Sequence, residues 1–385
     1  MKFYVGGILT FCAAFILGDT VHFVADAAIT SKKELEKITS LVGEDHVDSN
    51  GVRIEEGANK LIRVGDELLT FAGSFNSGIN VAQTYLSNRE RDLCPFDALE
   101  LAIVKHSPPF GGQGASFLLG FYDGGPKILK GMLAKEPILE DAKQYASVGA
   151  SSDIRQHFDE VIRQQVIQQY CHESPSKIRA LVAASCIGVA ICKTTIEAGV
   201  GGVFNSASVG EDGINWMEDI AICVLQSETN VRWPEPIAAV SAGIRNGVMV
   251  AREKIGQGAL VTAQFISSGD DDVEQLKRYA KDAMEKTLRT VKLGKFAFAA
   301  LVNKTTGRVE VLDMNRSQRH HDLVITPPER YIGKVEYGVA MGSTVRERLV
   351  QPSNSVQLHF TNYKAFTLKQ KQLFARGQKH NRTVF

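Results

Sequence analysis

The sequence predicts an α+β fold in which antiparallel sheets carry helices on their outer faces, and three observations favour it. Pairs of short apolar segments recur along the chain, each joined by a glycine-containing turn, which is typical of β-hairpins. Segments with helical spacing come in twos between the hairpins, at 79–88 with 95–106 and at 153–171 with 174–197. The chain shows no regular strand–helix–strand alternation, which argues against a doubly wound parallel sheet.

The first element, Leu9–Thr30, has two interpretations on local pattern alone. Lys2 and an apolar run ahead of the small residues 25–27 are compatible with a secretory signal peptide. However, the turn residues 18–20 interrupt that run, and the segments on both sides are rich in β-branched and aromatic residues. This second pattern is typical of a hairpin. Both interpretations stay open at this point.

The later elements follow in a regular order. Hairpins are predicted at 60–74 and 115–132, a strand that runs into a loop at 145–153, and a closing strand at 219–226. Serine and proline at 174 and 175 begin the last of the four helices. Paired prolines at 234 and 236 predict a domain boundary, because proline interrupts both helices and strands.

We therefore divide the chain into four parts: 1–9 as a candidate propeptide, 10–230 as the main domain, 231–363 as an unassigned α+β extension, and 364–385 as a basic tail. The extension includes a predicted helix at 270–291 and a hairpin at 295–314. The tail combines basic and aromatic residues, and we interpret it as a solvated segment rather than a partner-binding arm.

Composition narrows the functional classes. Forty-four Lys and Arg against 43 Asp and Glu give a formal charge of +1, so no overall field would attract nucleic acid or an acidic membrane. The six cysteines include no CxxC pair and most lie in apolar runs, which predicts buried free thiols in a reducing compartment rather than a disulfide framework. No stretch of roughly 18–20 uncharged apolar residues is present, so we expect no membrane span.

The candidate site rests on the spacing of three residues. Thr10 lies sixteen residues before Asp26 at the far end of the first hairpin, and Lys60 opens the segment KLIRV ahead of FAGS. This arrangement resembles the N-terminal-nucleophile hydrolases of the proteasome β-subunit superfamily, above all its bacterial and ancestral members. In that family a threonine begins a hairpin that ends in ADSR…T, and a lysine precedes a strand that closes on AGG or AGS. The resemblance covers about residues 10–226.

The resemblance implies a four-layer αββα sandwich of two antiparallel sheets with helices outside. It also favours the hairpin over the signal peptide, because removal of residues 10–26 would take the first hairpin from its sheet. By resemblance, the protein cuts amide bonds in peptides or unfolded proteins and forms a homo-oligomeric ring in the cytoplasm. An ATPase partner stays undetermined. No cofactor, metal, nucleic acid or membrane is implied.

The resemblance also assigns roles. Thr10 would be the nucleophile, Lys60 its electrostatic partner, Asp26 the anchor of Lys60, and the Gly73 N–H the oxyanion donor. A threonine hydroxyl needs a base to take its proton, and the α-amine of a chain-leading threonine, with a pKa near 8, can serve. We therefore expect the Thr10 hydroxyl within roughly 2.6–3.2 Å of the Lys60 ammonium.

Several positions depart from the family pattern. Residues 1–9 would have to be removed, and Leu9 stands where the family places glycine before the threonine. Ala150 replaces a serine of the small-residue loop, Glu197 replaces an aspartate, and Val200 replaces a serine before the glycine pair. In the family these positions support the amine. The alternative is therefore a catalytically silent subunit that acts in assembly or binding.

Two other motifs indicate loops rather than binding sites. The glycine run 111–114 lacks a preceding strand, so it indicates a loop rather than a phosphate site. The sequence 320–322, His-His-Asp, lacks metal-ligand spacing and indicates a polar loop.

Overall fold

The computed structural model describes residues 10–31, 38–39, 45–46, 53–56, 59–108, 114–225, 236–245, 248–253, 259–263, 297–305 and 307–313. Five predicted features therefore lie outside the described residues: the candidate propeptide 1–9, the glycine run before 114, the helix at 270–291, the motif at 320–322 and the tail 364–385.

Twenty strands are present in the described part, and most are joined in hairpins with tight turns. They are β1 Phe11–Leu17, β2 Thr20–Asp26, β3 Ala28–Ser31, β4 Ile38–Thr39, β5 Asp45–His46, β6 Arg53–Glu56, β7 Leu61–Val64, β8 Glu67–Gly73, β9 Ala115–Tyr122, β10 Pro126–Met132, β11 Ile138–Asp141, β12 Tyr145–Gly149, β13 Phe204–Gly210, β14 Gly213–Trp216, β15 Ile220–Leu225, β16 Pro236–Arg245, β17 Val248–Glu253, β18 Ala259–Ala263, β19 Phe298–Asn303 and β20 Arg308–Asp313.

The helices occur in the two predicted pairs. The second begins at the predicted Pro95, whereas the first begins at Phe75, four residues before the predicted start at 79. Ser174 caps the fourth helix by accepting a hydrogen bond from the Lys177 N–H, with proline at the next position. The third helix continues as a π-helical segment, and the fourth is followed by a 3₁₀ turn. The helical elements are α1 Phe75–Arg89, α2 Pro95–His106, α3 Ser152–Glu160, the π-helix Val161–Ile167, α4 Pro175–Lys193 and the 3₁₀ turn Thr195–Ala198.

The strands form two five-stranded sheets, one six-stranded sheet and two small ribbons. The first sheet has the order β12-β1-β2-β13-β14 and the second the order β11-β10-β9-β8-β7, with antiparallel neighbours throughout. The third has the order β18-β17-β16-β15-β19-β20 and contains one parallel pair, β15 with β19. The predicted α+β class with antiparallel sheets is therefore confirmed.

The first two sheets contact each other through apolar faces. Phe23 of β2 lies so close to Gly120 of β9 that a Cβ at position 120 would be 2.4 Å from its ring. A side chain at position 120 would therefore have to displace the Phe23 ring between the two sheets. Because successive side chains of a strand point to opposite faces of the sheet, each sheet has a second face that can pack against helices.

Each of the two sheets packs its second face against helices. Helices α1 and α2 contact the second sheet, where a Cβ on Gly131 would be 2.3 Å from the Ile103 side chain of α2. Helices α3 and α4 contact the first sheet, where the Phe158 ring stacks on Phe11 at a centroid distance of 4.5 Å. These contacts bury the α3 side of β1 and hold its N-terminal end in place.

Helix α4 lies between the first and third sheets, in contact with β2 and β13 on one side and β19 and β20 on the other. The contact with β20 is close, since a Cβ on Gly188 would be 2.4 Å from the Val309 side chain. Among the described helices α4 alone is long and apolar enough to cross a membrane by length and composition, and most of it is buried inside the protein. Burial on two sides is the physical reason for its apolar sequence.

The strands after α4 differ from those that the sequence predicts. The hairpin β13–β14 is absent from the predicted elements, although β13 is the direct neighbour of β2. The predicted closing strand, β15, pairs with β16 and β19, so it is joined to strands beyond residue 231 rather than to the first two sheets. Its continuous apolar run of six buried residues fits a strand covered on both faces.

The thiols also differ in part from the prediction of buried cysteines. All six cysteines are free; Cys12, Cys186 and Cys223 are buried, whereas Cys94 and Cys171 are exposed.

We predict that His22 makes the protein sensitive to mild acid. His22 is buried on β2 and stacks on Phe15 at a centroid distance of 5.3 Å. Burial, together with the positive charge of Arg179, lowers the pKa of His22 to about 3. The unfolded chain binds this proton near pH 6.5, so stability is full above that pH and falls as the pH drops toward 3.

The measurement is the free energy of unfolding between pH 7.5 and 4.5. As the pH falls, the free energy of unfolding of the wild type should decrease more steeply than that of a His22→Gln variant, by up to about 1.4 kcal/mol per pH unit. The matched control is His172→Gln, because His172 is exposed. Equal slopes for wild type and His22→Gln would contradict the prediction.

Candidate functional site

Thr10 precedes β1 and its backbone is held by the end of β12. The Ala150 N–H donates to the Thr10 carbonyl oxygen at 2.7 Å. Gly149 has a φ of +88°, and a Cβ on it would be 1.7 Å from that same oxygen. Only glycine allows so close an approach of two backbone segments. The strand end thus fixes where the Thr10 side chain lies.

Lys60 brings the predicted residues together. Its Nζ donates to Thr10 Oγ1 at 2.9 Å, to Asp26 Oδ1 at 2.8 Å and to the Ala28 carbonyl oxygen at 2.5 Å. An ammonium has three N–H donors, so these three acceptors use all of them. Lys60 is 3% exposed and Thr10 is 2% exposed.

Asp26 is fully buried and accepts from three donors. Besides Lys60, the Phe11 N–H donates to Oδ1 at 3.0 Å and the Gly201 N–H to Oδ2 at 3.3 Å. Burial raises the pKa of the Asp26 carboxyl, and the Lys60 charge and these N–H donors act against that rise. A buried carboxylate requires such partners, since an unpaired one would cost several kcal/mol.

The hairpin explains why these side chains meet. The β1–β2 turn returns the chain so that Cys12 lies opposite Ala25, and the register places Asp26 beside the N–H of Phe11. Lys60 immediately precedes β7, in the second sheet, which contacts the first. The site therefore lies where the ends of two facing sheets come together.

Gly73 ends β8 in a conformation that suits glycine. Its φ is +105°, and a Cβ on it would be 2.6 Å from the Gly114 carbonyl oxygen. Gly73 lies opposite Ala115, whose carbonyl accepts from Leu133 on the other side. Because hydrogen bonds alternate along an antiparallel pair, the Gly73 N–H points away from β9 and toward the β7 side, where Lys60 lies.

Two of the departing positions, Ala150 and Val200, make hydrogen bonds through their backbone atoms. Ala150, with a φ of +25°, acts on Thr10 through its backbone N–H. Val200 is buried, and its carbonyl accepts from Thr195 Oγ1 at 2.7 Å. Glu197 lies in the 3₁₀ turn Thr195–Ala198, which precedes Val200.

Backbone groups of the site are not among the residues that the sequence predicts. The Ala28 carbonyl and the Phe11 and Gly201 N–H groups complete the surroundings of Lys60 and Asp26. Backbone partners carry no residue-type signal. Only the glycine pair at 201–202 gives one, because it marks a loop that approaches Asp26 closely.

The chemistry of the site favours the threonine over the neighbouring thiol as a nucleophile. Burial raises the pKa of Cys12 to about 12, so its thiol stays protonated at neutral pH. Thr10 Oγ1, in contrast, accepts a hydrogen bond from a cation that would stabilise a developing alkoxide. Within the described ranges, no group of three or more His, Cys, Asp or Glu side chains could hold a metal ion.

A scan of the chain against protein-family models finds no match, and a search of curated proteins finds none either.

Proposed function

We propose that residues 10–226 contain the four-layer αββα core of an N-terminal-nucleophile hydrolase and that the protein is a threonine-type peptidase. The layer order is supported by the contacts of α1 and α2 with the second sheet, of the second sheet with the first, and of the first with α3 and α4. The third sheet would add a further layer outside α4.

One observation carries the functional proposal: Lys60 Nζ lies between Thr10 Oγ1 and Asp26 Oδ1, at 2.9 and 2.8 Å. Isolated salt bridges are common, but here the buried cation also donates to a hydroxyl at the end of a strand. The positive charge of Lys60 thus lies beside the oxygen that would become the nucleophile, and it lowers the free energy of the alkoxide.

The hydrogen bonds also suggest which group accepts the threonine proton. Lys60 donates all of its N–H groups, so in this form it cannot act as the base. The remaining candidate is the α-amine of Thr10, which is released when residues 1–9 are removed. Attack by Oγ1 on the carbonyl carbon of Leu9 would break the Leu9–Thr10 C–N bond, and the hydroxyl proton would pass to the departing nitrogen, which becomes the free α-amine. Hydrolysis of the resulting ester by water would release residues 1–9 as a carboxylic acid and restore the Thr10 hydroxyl.

The substrate would be a peptide or unfolded protein, held with the scissile carbonyl oxygen toward the Gly73 N–H. Oγ1 would attack the carbonyl carbon, the amine would take the hydroxyl proton and pass it to the leaving nitrogen, and water would hydrolyse the acyl-enzyme. A ring assembly in the cytoplasm stays part of this proposal.

A silent assembly subunit is the second candidate, favoured by Ala150 and Val200. Both stand where the family places hydroxyl groups, and both contribute here through the backbone. A free amine at Thr10 would therefore lack those side-chain partners.

The intact mass of the purified protein distinguishes the two candidates. We expect the hydrolase to convert to a chain that begins at Thr10 and to cleave peptides from a fluorogenic library. The Thr10→Ala variant should retain residues 1–9 and cleave none, whereas Thr10→Ser should retain conversion. A wild-type chain that keeps residues 3–9 in full would reject the hydrolase and support the silent subunit.

A further inference from the structure

Helix α2 exposes an apolar face that no described part of the chain covers. Ala98, Leu99, Ala102 and Ile103 face the second sheet and are buried. On the other side Phe96, Leu101 and Val104 are 40%, 51% and 50% exposed. We call this exposed side the α2 face.

Charged residues flank the α2 face in a particular order. Asp97 and Lys105 are both exposed, and each lies four residues, about one helical turn, from Leu101. The acid is on the N-terminal side and the base on the C-terminal side. The helix dipole favours this order, but it does not explain why large apolar side chains lie between the charges in water.

We propose that the α2 face binds the α2 face of a second copy of this chain across a twofold axis. When two copies of the helix lie antiparallel with Leu101 against Leu101, Asp97 of each lies opposite Lys105 of the other. A twofold interface requires one surface to be complementary to itself, and this face meets that requirement in its apolar residues and in the pairing of Asp97 with Lys105, while the exposed Glu100 lies to one side of Leu101. Two opposite-charge pairs then flank a central apolar contact.

The other long apolar helix leaves no such surface. Helix α4 is covered by β2 and β13 on one side and by β19 and β20 on the other. The remaining exposed large apolar side chains of the described part, Met132 and Ile138, are cross-strand neighbours on β10 and β11. They lie on the opposite face of the second sheet from Ile103, because Gly131, the residue before Met132 on β10, faces α2. The α2 face is thus separate from that edge.

The contact is independent of hydrolysis, since none of its residues belongs to the Thr10 site. The dimer contact can therefore exist even if the protein is not a hydrolase, and it can be absent even if the protein is one. One helix pair buries less surface than a standard interface, so we expect a reversible association in the micromolar range.

Sedimentation velocity over a concentration series of the Thr10→Ala chain tests the contact. The wild-type face should associate reversibly, and Leu101→Glu should weaken association at least about tenfold by placing two carboxylates together at the axis. Asp97→Lys and Lys105→Asp should each weaken it through like charges. The double variant should regain most of the affinity, which a merely destabilising change would not do.

Disulfide trapping supplies an independent measurement. In a background with Cys94→Ser and Cys171→Ser, Leu101→Cys should form a covalent dimer on mild oxidation. The control is Lys127→Cys, an exposed position at the start of β10, which should form no covalent dimer. Cys94→Ser keeps a side-chain acceptor for the Asp97 N–H at the start of α2. A monomeric wild type at about 100 µM, or association unchanged by Leu101→Glu, would overturn the proposal.

Discussion

Lys60→Ala should slow removal of residues 1–9 and peptide cleavage by about 10²–10⁴-fold, if Thr10 is the nucleophile. The substitution removes the only charged partner of Thr10 Oγ1 that the described residues provide. The hydroxyl would then have to ionise without a cation beside it. The rate of conversion, followed by intact mass, measures this effect without any added peptide substrate.

The same substitution should destabilise the fold, because it leaves the Asp26 carboxylate buried with only the N–H groups of Phe11 and Gly201. Removal of one partner of a buried ion pair costs about 3–5 kcal/mol. The free energy of unfolding must therefore be measured beside the rate. Lys60→Arg preserves the charge, but its planar fork cannot replace a compact ammonium among three oxygens, so we expect it to be inactive as well.

Lys177→Ala is the matched control. Lys177 is also buried and pairs with Glu173 at 2.8 Å, but it lies at the start of α4 and outside the site. Its loss should lower stability and leave conversion unchanged. A folded Lys60→Ala protein that converts at the wild-type rate would reject the proposed mechanism.

The spacing of Thr10, Asp26 and Lys60 could be predicted because a hairpin is determined by short-range patterns. The turn at 18–19 and the alternation around it place Asp26 beside the start of β1, whatever the rest of the chain does. The helices could likewise be predicted from caps and periodicity, as Pro95 and Ser174 show.

The rest depended on contacts between distant segments. Nothing in the apolar run of β15 indicates whether it joins the first sheet or a third, since both environments bury it on two faces. β13 was missed because its small and polar residues at 205–208 make a weak apolar pattern, although all are buried in the fold. The backbone ligands of Asp26 and Lys60 follow only once β13 and the loop before it are in place.

The last prediction concerns the backbone approach that holds Thr10. Gly149→Ala should lower the free energy of unfolding far more than Gly213→Ala, although the two glycines have nearly equal φ angles of +88° and +90°. A Cβ on Gly213 meets nothing within 4 Å, so that variant measures conformational strain alone, about 1–2 kcal/mol.

A Cβ on Gly149 would lie 1.7 Å from the Thr10 carbonyl oxygen and 2.8 Å from the Ala72 Cβ, so the strand ends must separate. This should cost about 1–3 kcal/mol beyond the strain, and it would also break the hydrogen bond from the Ala150 N–H. Because Thr10 Oγ1 is fixed through the same backbone, its distance to Lys60 should lengthen. In the hydrolase proposal, folded Gly149→Ala protein should therefore convert slowly while Gly213→Ala converts normally. Denaturant unfolding of both variants provides the comparison. Equal losses of stability would contradict the close contact between Gly149 at the end of β12 and the Thr10 carbonyl oxygen.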